Sequence, residues 1–250
     1  MEQLKITCLG TAGWFDSKAG HTVCTLIESD DYYIIFDAGS GFYKLDQFMN
    51  QPKPTYLFLG HFHLDHIGGL HVLAKFNFEK GLFIVGQTGL KHTMDVFLNA
   101  PFTVSRQDLR YPTTLLELPD EIHHIPFHVT ALPLRHAGPA LGFRIELSGN
   151  VISYCADTGY CENAVTLSKN ADLLITECAF KPGEENDHWP HLNPENAARI
   201  AKEASAKKLL LTHFDAKNYP TADSRKNAEK ISRTIFKETI ASYDDMTLYM

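Results

Sequence analysis

One short segment of the chain concentrates residues that bind metals. Between Gly60 and His66 the sequence has the pattern H-x-H-x-D-H, after an apolar run and before a helical pattern. With the composition of this chain, three histidines and one aspartate at those offsets arise by chance in roughly one of several hundred sequences. Imidazole and carboxylate are ligands for zinc and similar divalent ions, and a turn at a strand end can direct alternating side chains at two neighbouring ions. A solvated histidine-rich loop gives no reason for this order, so the segment predicts a metal site.

Four further polar residues each follow an apolar strand pattern. They are Asp37, His136, Asp157 and His213. Taken singly, a histidine or aspartate in such a place is more often a turn or capping residue. Ligand sites in α/β proteins lie at the carboxyl ends of strands. Five strand ends with metal-binding residue types therefore predict one shared cleft.

Hydrophobic periodicity predicts the elements that position these residues. Strands are predicted at residues 4–9, 22–28, 32–36, 55–59, 82–85, 113–118, 127–134, 141–147, 151–155, 173–176 and 208–212. Helices are predicted at residues 64–75, 88–98, from about 162, at 193–205 with Asn193 as N-cap, and at 221–240. No linker divides the chain, so we expect residues 1–250 to form one α/β domain with sheets between helical layers.

Composition limits the classes of function. The 250 residues carry 23 Lys and Arg against 30 Asp and Glu, for a formal net charge of −7, together with 13 histidines. A broad nucleic-acid-coating surface is disfavoured, because such surfaces are basic. The first residues lack a basic region followed by an apolar run, and no segment has the ~18 uninterrupted apolar residues of a membrane helix. We therefore expect a cytoplasmic protein that does not act at a membrane.

In these residues the sequence resembles the metallo-β-lactamase superfamily. The ordered signature of that superfamily is a strand-end aspartate, H-x-H-x-D-H, a later histidine, a bridging aspartate and a final histidine, and every position is filled here. The resemblance implies an αββα sandwich, in which two mixed β-sheets are flanked by helices. It also implies two divalent metal ions and no organic cofactor. Zinc is the expected metal, and manganese or iron are alternatives because histidine and carboxylate ligands accept all three.

The resemblance also implies how the ions are held. The ligands of one ion would be His61, His63 and His136. The ligands of the other would be Asp65, His66 and His213, and Asp157 would bridge the two ions. Asp37 would lie behind the ligands and orient a ligand histidine.

Within the superfamily, the surroundings of these residues are similar to those of ribonuclease Z and of related cyclic phosphodiesterases. The similar segments span residues 136–145, 157–159, 176–180, 191–198 and 211–214. In that group the positions of Glu177 and His191 form a carboxylate–imidazole pair near the metals. The resemblance therefore implies that His191 protonates a leaving alkoxide, with Glu177 and Asp65 as further catalytic residues.

The implied activity is that of a metal-dependent phosphoric diester hydrolase. The substrate would be a small or cyclic nucleotide-like molecule, attacked by a metal-bridging hydroxide. Long ribonuclease Z enzymes carry a tRNA-clamping arm between the third histidine and the bridging aspartate, whereas only a short hairpin joins His136 to Asp157 here. Extended tRNA binding is therefore not expected. Three alternatives stay open: a ribonuclease Z-like RNA endonuclease, a thioester hydrolase of the glyoxalase II type, and a metal-binding protein without turnover. The resemblance also favours a homodimer.

Overall fold

A computed structural model describes residues 3–250. The strands are β1 (Lys5–Gly10), β2 (Ala12–Gly13), β3 (Cys24–Glu28), β4 (Tyr33–Phe36), β5 (Thr55–Phe58), β6 (Leu82–Gln87), β7 (Thr113–Leu118), β8 (His128–Pro133), β9 (Leu141–Leu147), β10 (Asn150–Cys155), β11 (Leu173–Glu177), β12 (Leu209–Thr212), β13 (Phe214–Asp215), β14 (Thr239–Ala241) and β15 (Met246–Tyr249). The α-helices are α1 (Leu64–Ile67), α2 (Leu90–Phe97), α3 (Glu162–Leu167), α4 (Pro194–Glu203) and α5 (Ala222–Arg233). Short 3₁₀ helices span Ser40–Gln47, Gly68–Lys75, Arg106–Asp108 and Ile122–His124. None of the helices in residues 3–250 has both the length and the apolar character needed to cross a membrane.

The strands form two large mixed sheets and one small parallel pair. The first sheet has the order β15-β1-β3-β4-β5-β6-β7 and the second has the order β14-β12-β11-β10-β9-β8. In the first sheet β4 to β7 run parallel, whereas β15, β1, β3 and β4 pair antiparallel. In the second sheet β8, β9 and β10 pair antiparallel, and β10, β11, β12 and β14 run parallel. The small pair joins β2, after β1, to β13, after β12.

Apolar side chains pack in three layers. The central layer lies between the sheets and includes Phe36 and Phe58 from the first sheet and Phe143 and Tyr154 from the second. The rings of Phe36 and Tyr154 stack with their centroids 4.5 Å apart. The outer face of the first sheet packs against α2 and the longer 3₁₀ helices, and that of the second packs against α3, α4 and α5. The αββα sandwich expected from the sequence is therefore confirmed.

The start of α4 follows its sequence signals. The Asn193 side chain accepts a hydrogen bond from the Asn196 backbone N–H at 2.8 Å, so Asn193 is the N-cap as predicted. Pro194 occupies the first turn, where its fixed φ suits a helix and its missing N–H costs nothing. This cap fixes the end of the loop that carries His191.

Two predicted helices differ from the structure. The sequence pattern predicts one helix over residues 221–240, but α5 ends at Arg233 and the last part forms β14. β14 pairs with β12, and β-branched Thr239 and Ile240 suit a strand at that position. The helix predicted at residues 64–75 is α-helical only to Ile67 and then becomes a 3₁₀ helix, since two glycines at its middle weaken an α-helix.

Candidate active site

Five strand ends bring the predicted residues to one edge of the sandwich. Asp37 comes directly after β4, and His213 comes directly after β12. His61, His136 and Asp157 lie within three residues of the ends of β5, β8 and β10. The strands of each sheet that carry these residues run in the same direction, because β4 and β5 are parallel and β8, β10 and β12 share an orientation. Their carboxyl ends therefore meet.

The first group of donors comprises His61, His63, His136 and Asp157, whose donor atoms all lie within 4.8 Å of one another. Neither ring nitrogen of His136 has a hydrogen-bond partner, although both are buried. Burial lowers the pKa of His136 to about 4, so its imidazole is neutral near pH 7 and offers a lone pair. A buried imidazole without a partner is costly, and a cation among these donors would remove that cost. The group fits a metal ion.

The second group comprises Asp65, His66 and His213, again with donor atoms within 4.8 Å of one another. His66 Nε2 lies 3.1 Å from His213 Nε2, which in turn lies 3.3 Å from Asp65 Oδ2. Two imidazole nitrogens and one carboxylate oxygen are a common donor set for zinc and related ions. This group also fits a metal ion.

Asp157 contacts both groups. Its Oδ2 atom lies 3.0 Å from His61 Nε2 and 3.1 Å from His66 Nε2, and its Oδ1 atom lies 3.1 Å from His213 Nε2. Burial opposes ionisation of this carboxyl, but the imidazoles of His213 and His66 outweigh burial and hold the pKa of Asp157 well below its ordinary value. Asp157 is therefore an ionised carboxylate between the groups, the position that a shared ligand requires.

Asp37 supports the second group from behind. Its buried carboxylate accepts hydrogen bonds from the Gly60 backbone N–H at 2.8 Å and from the Tyr154 hydroxyl at 2.6 Å. The oxygen that contacts Tyr154 also lies 2.8 Å from His66 Nδ1. This contact favours the tautomer of His66 with its proton on Nδ1 and its lone pair on Nε2, the atom that faces His213. Sequence analysis predicted this role for Asp37 but missed Tyr154, which no spacing distinguishes from a core residue of β10.

Three of the strand-end residues adopt left-handed backbone conformations. The φ angles are 56° at Asp37, 51° at Asp157 and 49° at His213. Such conformations cost non-glycine residues about 1–3 kcal/mol each and occur where the surrounding structure enforces them, often at functional sites. Here the chain turns sharply at the end of each strand, and the turn directs the side chain to the donor groups.

Glu177 and His191 form a pair beside these groups. His191 Nδ1 lies 2.9 Å and 3.1 Å from the two carboxylate oxygens of Glu177, and 3.9 Å from Asp157 Oδ1. Glu177 is fully buried and accepts hydrogen bonds from the backbone N–H groups of Thr158 at 2.5 Å and Ala179 at 3.3 Å. Burial opposes protonation of His191, but the carboxylates of Glu177 and Asp157 outweigh it and raise the pKa of His191 to about 9. The pair can hold a proton at the cleft.

A cavity of about 430 Å³ opens over both groups. His63, Asp65, His136, Asp157, His191 and His213 line it, so the predicted residues share one space. Sequence analysis assigned no role to several other lining residues, among them Trp14, Glu184, Trp189, Asp215, Lys217 and Asn218. Except for Asp215, which ends the two-residue strand β13, they lie in loops, where hydrophobic periodicity carries no signal.

The segment that covers His213 depends on a glycine and on a buried polar network. A Cβ atom on Gly13 would lie 2.5 Å from the His213 ring, so a side chain there would displace the imidazole. Behind this segment, the Thr11 hydroxyl donates to Asp244 Oδ1 at 2.7 Å, and Lys44 Nζ donates to Asp244 Oδ2 at 3.1 Å. His21 Nδ1 lies 2.7 Å from the same carboxylate and does not line the cavity.

Comparison with known proteins identifies the family. A family model described as beta-lactamase superfamily domain matches residues 32–214. The probable metallo-hydrolase YhfI of Bacillus subtilis is 32% identical over 238 residues, which cover 93% of this chain and 94% of that protein. The ribonuclease Z of Macrococcus caseolyticus is 27% identical, over 88% of this chain and 91% of that protein.

A solved structure of YhfI supports the same family relationship. The crystal structure of the metallo-beta-lactamase fold protein YhfI from Bacillus subtilis superposes with a TM-score of 0.81, over 100% of both chains and with 26% identity in the structural alignment. The chain therefore belongs to the beta-lactamase superfamily, as a metallo-hydrolase related to YhfI and ribonuclease Z. The family resemblance and the fold predicted from the sequence are confirmed.

Proposed function

We propose that this member of the beta-lactamase superfamily is a dinuclear metal-dependent hydrolase that cleaves phosphodiester bonds in a small or cyclic nucleotide-like substrate. One observation carries the proposal: the Glu177–His191 pair lies beside two donor groups that share Asp157. Paired cation sites suit a substrate that carries negative charge, and an adjacent imidazolium suits an alkoxide leaving group, which needs a proton.

In this proposal each donor group holds one divalent ion. His61, His63 and His136 would hold the first ion, and Asp65, His66 and His213 would hold the second. Asp157 contacts a histidine of each group and would serve both ions. These donors suit zinc, and they also suit manganese or iron. The bound ions would supply positive charge that stabilises the negative charge developing on a phosphodiester. Asp37 keeps His66 in the ligating tautomer through the contact at Nδ1.

His191 supplies the proton for the leaving oxygen. Glu177 holds His191 Nδ1, so the other ring nitrogen of this cavity-lining residue is left for the substrate. Two backbone N–H groups hold Glu177 in turn, and the imidazole is therefore oriented before the substrate arrives. Asp65 and Asp157 would act as carboxylate ligands, since their oxygens lie 3.3 Å and 3.1 Å from His213 Nε2, a donor atom of the second group.

The limited size of the site supports a small substrate. The cavity of about 430 Å³ lies in the lower part of the range for small-molecule sites. Between His136 and Asp157 the chain forms only the antiparallel hairpin of β9 and β10, which leaves no length for a clamping arm. The formal net charge of −7 also argues against an extended phosphate-binding surface.

A second candidate is an RNA endonuclease. It is supported by the 27% identity to a ribonuclease Z over 88% of the chain. The two candidates differ in the size of the substrate they accept, and direct competition between a small diester and pre-tRNA separates them.

The test is a substrate panel with metal-replete protein, with and without chelator. The panel comprises bis(p-nitrophenyl) phosphate, a 2′,3′-cyclic nucleotide, pre-tRNA, S-lactoylglutathione and a cephalosporin. Chelator-sensitive hydrolysis of the first two is expected. Efficient single-turnover cleavage of pre-tRNA at physiological salt would replace the first candidate with the second. Turnover of the thioester alone, or of nothing while the metals are bound, would refute both.

The proposal also covers organisation and location. Residues 1–250 act as a single hydrolase domain in the cytoplasm, and two copies associate as a homodimer, which sedimentation equilibrium tests directly. The match to YhfI over 93% of the chain supports a single domain, and the resemblance to ribonuclease Z supports the homodimer. The five free cysteines suit a reducing compartment.

A further inference from the structure

Both tryptophans of the chain line the catalytic cavity. The sequence contains two, Trp14 and Trp189, and both belong to the wall of the cavity over the donor groups. Trp14 is 65% exposed and Trp189 is 50% exposed. Tryptophan is usually well buried, so two exposed indoles at one cleft need an explanation other than core packing. A large exposed ring beside a reaction site is typical of ligand contact.

Trp14 is held in place at a conformational cost. Its backbone is left-handed, with φ at 70°, which is unfavourable for a bulky residue. Its backbone N–H donates to Asp65 Oδ2 at 2.7 Å, and its ring packs edge-on against Phe15 with centroids 5.1 Å apart. The Trp14 backbone is therefore held beside the second donor group, and its indole packs on Phe15.

Trp189 is fixed on the other side of the site. Asn186 Oδ1 accepts hydrogen bonds from the backbone N–H groups of His188 and Trp189, at 2.9 Å and 3.2 Å, which closes a tight turn ahead of the indole. The Trp189 ring lies within 8° of parallel to the His63 ring, with centroids 6.2 Å apart. It also lies 6.2 Å from the His191 ring. One tryptophan thus stands beside each donor group.

We propose that Trp14 and Trp189 form a stacking platform that binds a planar heteroaromatic ring of the substrate, a nucleobase. This inference rests on the proposed function and names the substrate class. Stacking on an indole accepts any base, since every base has a π-face, whereas an aliphatic chain would need an enclosed apolar wall. Lys217 and Asn218 line the same cavity, and they place hydrogen-bonding groups within reach of the polar edge of a base or its sugar. The substrate is therefore a nucleoside phosphodiester and not a simple alkyl diester.

Matched esters test the platform through turnover. Thymidine 5′-(p-nitrophenyl) phosphate and its abasic counterpart, 1,2-dideoxyribose 5-(p-nitrophenyl) phosphate, share a leaving group and a sugar and differ only in the presence of the base. We expect the wild type to prefer the thymidine ester in kcat/KM by about 5- to 100-fold, the range for one stacked base. Trp189→Ala and Trp14→Ala should each reduce this preference about fivefold or more, through KM, and Trp189→Phe should retain most of it. Tyr249→Ala removes an exposed aromatic ring on β15, outside the cavity. This control variant should leave kcat/KM for both esters unchanged.

A binding measurement tests the platform without turnover. Because the two cavity tryptophans are the only ones in the chain, their fluorescence reports on the cavity alone. Adenosine 5′-monophosphate should quench it at concentrations about tenfold or more below those that ribose 5-phosphate needs. Phenyl phosphate should quench the fluorescence only at higher concentrations than adenosine 5′-monophosphate. In Trp14→Phe and Trp189→Phe the remaining indole should still be quenched.

The two measurements separate the possible failures. Ring-dependent quenching without hydrolysis of either ester would overturn the proposed phosphodiesterase and keep the platform. Hydrolysis of both esters at equal kcat/KM, with no difference between the nucleotide and ribose 5-phosphate, would overturn the platform and keep the phosphodiesterase. Phenyl phosphate that binds as tightly as the nucleotide would overturn the nucleobase assignment. Equal losses on both esters in the tryptophan variants would mean that the indoles only support the fold.

Discussion

The Tyr154 hydroxyl donates a hydrogen bond at 2.6 Å to Asp37 Oδ2, the oxygen that also contacts His66. Tyr154 belongs to the second sheet and Asp37 follows a strand of the first, so this bond joins the sheets directly behind the candidate metal site. The same tyrosine ring stacks on Phe36, next to Asp37 in sequence. The packing of the two sheets and the orientation of a candidate ligand therefore depend on one side chain.

Tyr154→Phe tests this connection. The variant keeps the stacked ring and removes one hydrogen bond to a buried carboxylate, which should lower the free energy of unfolding by about 1.5–3 kcal/mol. Asp37 then restrains His66 less, and metal affinity should fall about 10- to 100-fold. Denaturant unfolding and competition with a fluorescent chelator measure the two effects. Tyr33→Phe is the control, because Tyr33 is also buried and its hydroxyl accepts from the Gln51 N–H at 3.3 Å, away from the site. An equal loss of metal affinity in both variants would contradict the role of Tyr154.

Asp157 should control occupancy of both metal sites, because it contacts a histidine of each donor group. Asp157→Ala should lose both ions, whereas His136→Ala should lose or weaken only the ion held with His61 and His63. Elemental analysis of metal-replete, folded protein measures the stoichiometry. One ion per chain in the wild type, unchanged in Asp65→Ala, would remove the dinuclear proposal.

Gly13→Ala should disturb the second donor group without replacing any of the proposed ligands. The new methyl group would lie 2.5 Å from the His213 ring, so either the imidazole or the segment that contains Gly13 must move. Occupancy of the metal held with Asp65 should fall, and turnover should fall about tenfold or more. Gly68→Ala is the control, since a Cβ there meets nothing within 4 Å although the residue lies close to His66 in sequence. Similar metal content in both variants would contradict this prediction. It would mean that the backbone around residue 13 shifts and leaves the His213 ring in place.

The donor residues could be predicted from the sequence because each segment that carries them follows a strand. An apolar run that ends in Asp or His can be recognised in the sequence. In the folded protein, the carboxyl ends of neighbouring parallel strands lie together. The pattern at Asp37, at 61–66 and at Asp157 therefore indicated a shared site before any geometry was known. The roles of these residues as ligands stay predictions.

The features missed from the sequence depend on contacts between distant segments. Tyr154 lies in a strand pattern in which a tyrosine suits the core equally well, and its role arises only when the second sheet packs on the first. The helix predicted over residues 221–240 fails for a similar reason, because pairing of Thr239 with Leu209 outweighs the local helical pattern. Loop residues such as Trp189 carry no periodicity at all.

The partly buried Asp244 should make stability depend on acid pH. Burial opposes its ionisation, but hydrogen bonds from His21 and Thr11 and the charge of Lys44 outweigh burial and lower the pKa of Asp244. Its stabilisation is therefore complete above about pH 4, the ordinary range for aspartate, and decreases as the pH falls through the lowered value. Asp244→Asn should lower the free energy of unfolding by about 3 kcal/mol at pH 7, because it leaves buried Lys44 with one partner fewer, and the difference from the wild type should narrow below pH 4.

Unfolding by urea in the presence of chelator measures that difference, so that loss of metal at low pH does not contribute. Asp46→Asn is the matched control, because Asp46 forms an exposed pair with Lys75 at 2.8 Å and should change stability by less than about 1 kcal/mol. A difference that stays constant from pH 7 to pH 3 would contradict the assignment to Asp244.

His191→Ala distinguishes the contribution of proton transfer to catalysis from the contribution of the metal ions. If His191 protonates the leaving oxygen, the variant should keep both ions and lose about 10²- to 10⁴-fold in kcat on a diester with a poor alkoxide leaving group. The loss should shrink greatly for p-nitrophenolate, which leaves as a stable anion. Glu177→Gln should give a milder loss, since Glu177 contacts only Nδ1 of the ring and the backbone behind it.

Glu177→Gln should also shift the dependence of activity on pH. The acid must carry its proton, so activity on the poor leaving group should decline as the pH rises through the pKa of His191. Burial lowers that pKa and the carboxylates of Glu177 and Asp157 raise it, to about 9 in the metal-free chain. Bound cations should lower it by repelling the imidazolium, and Glu177→Gln should lower it further, which moves the alkaline limb of the profile to lower pH. Equal losses on good and poor leaving groups, or metal loss from His191→Ala, would mean that His191 positions the substrate or a ligand and does not act as the acid.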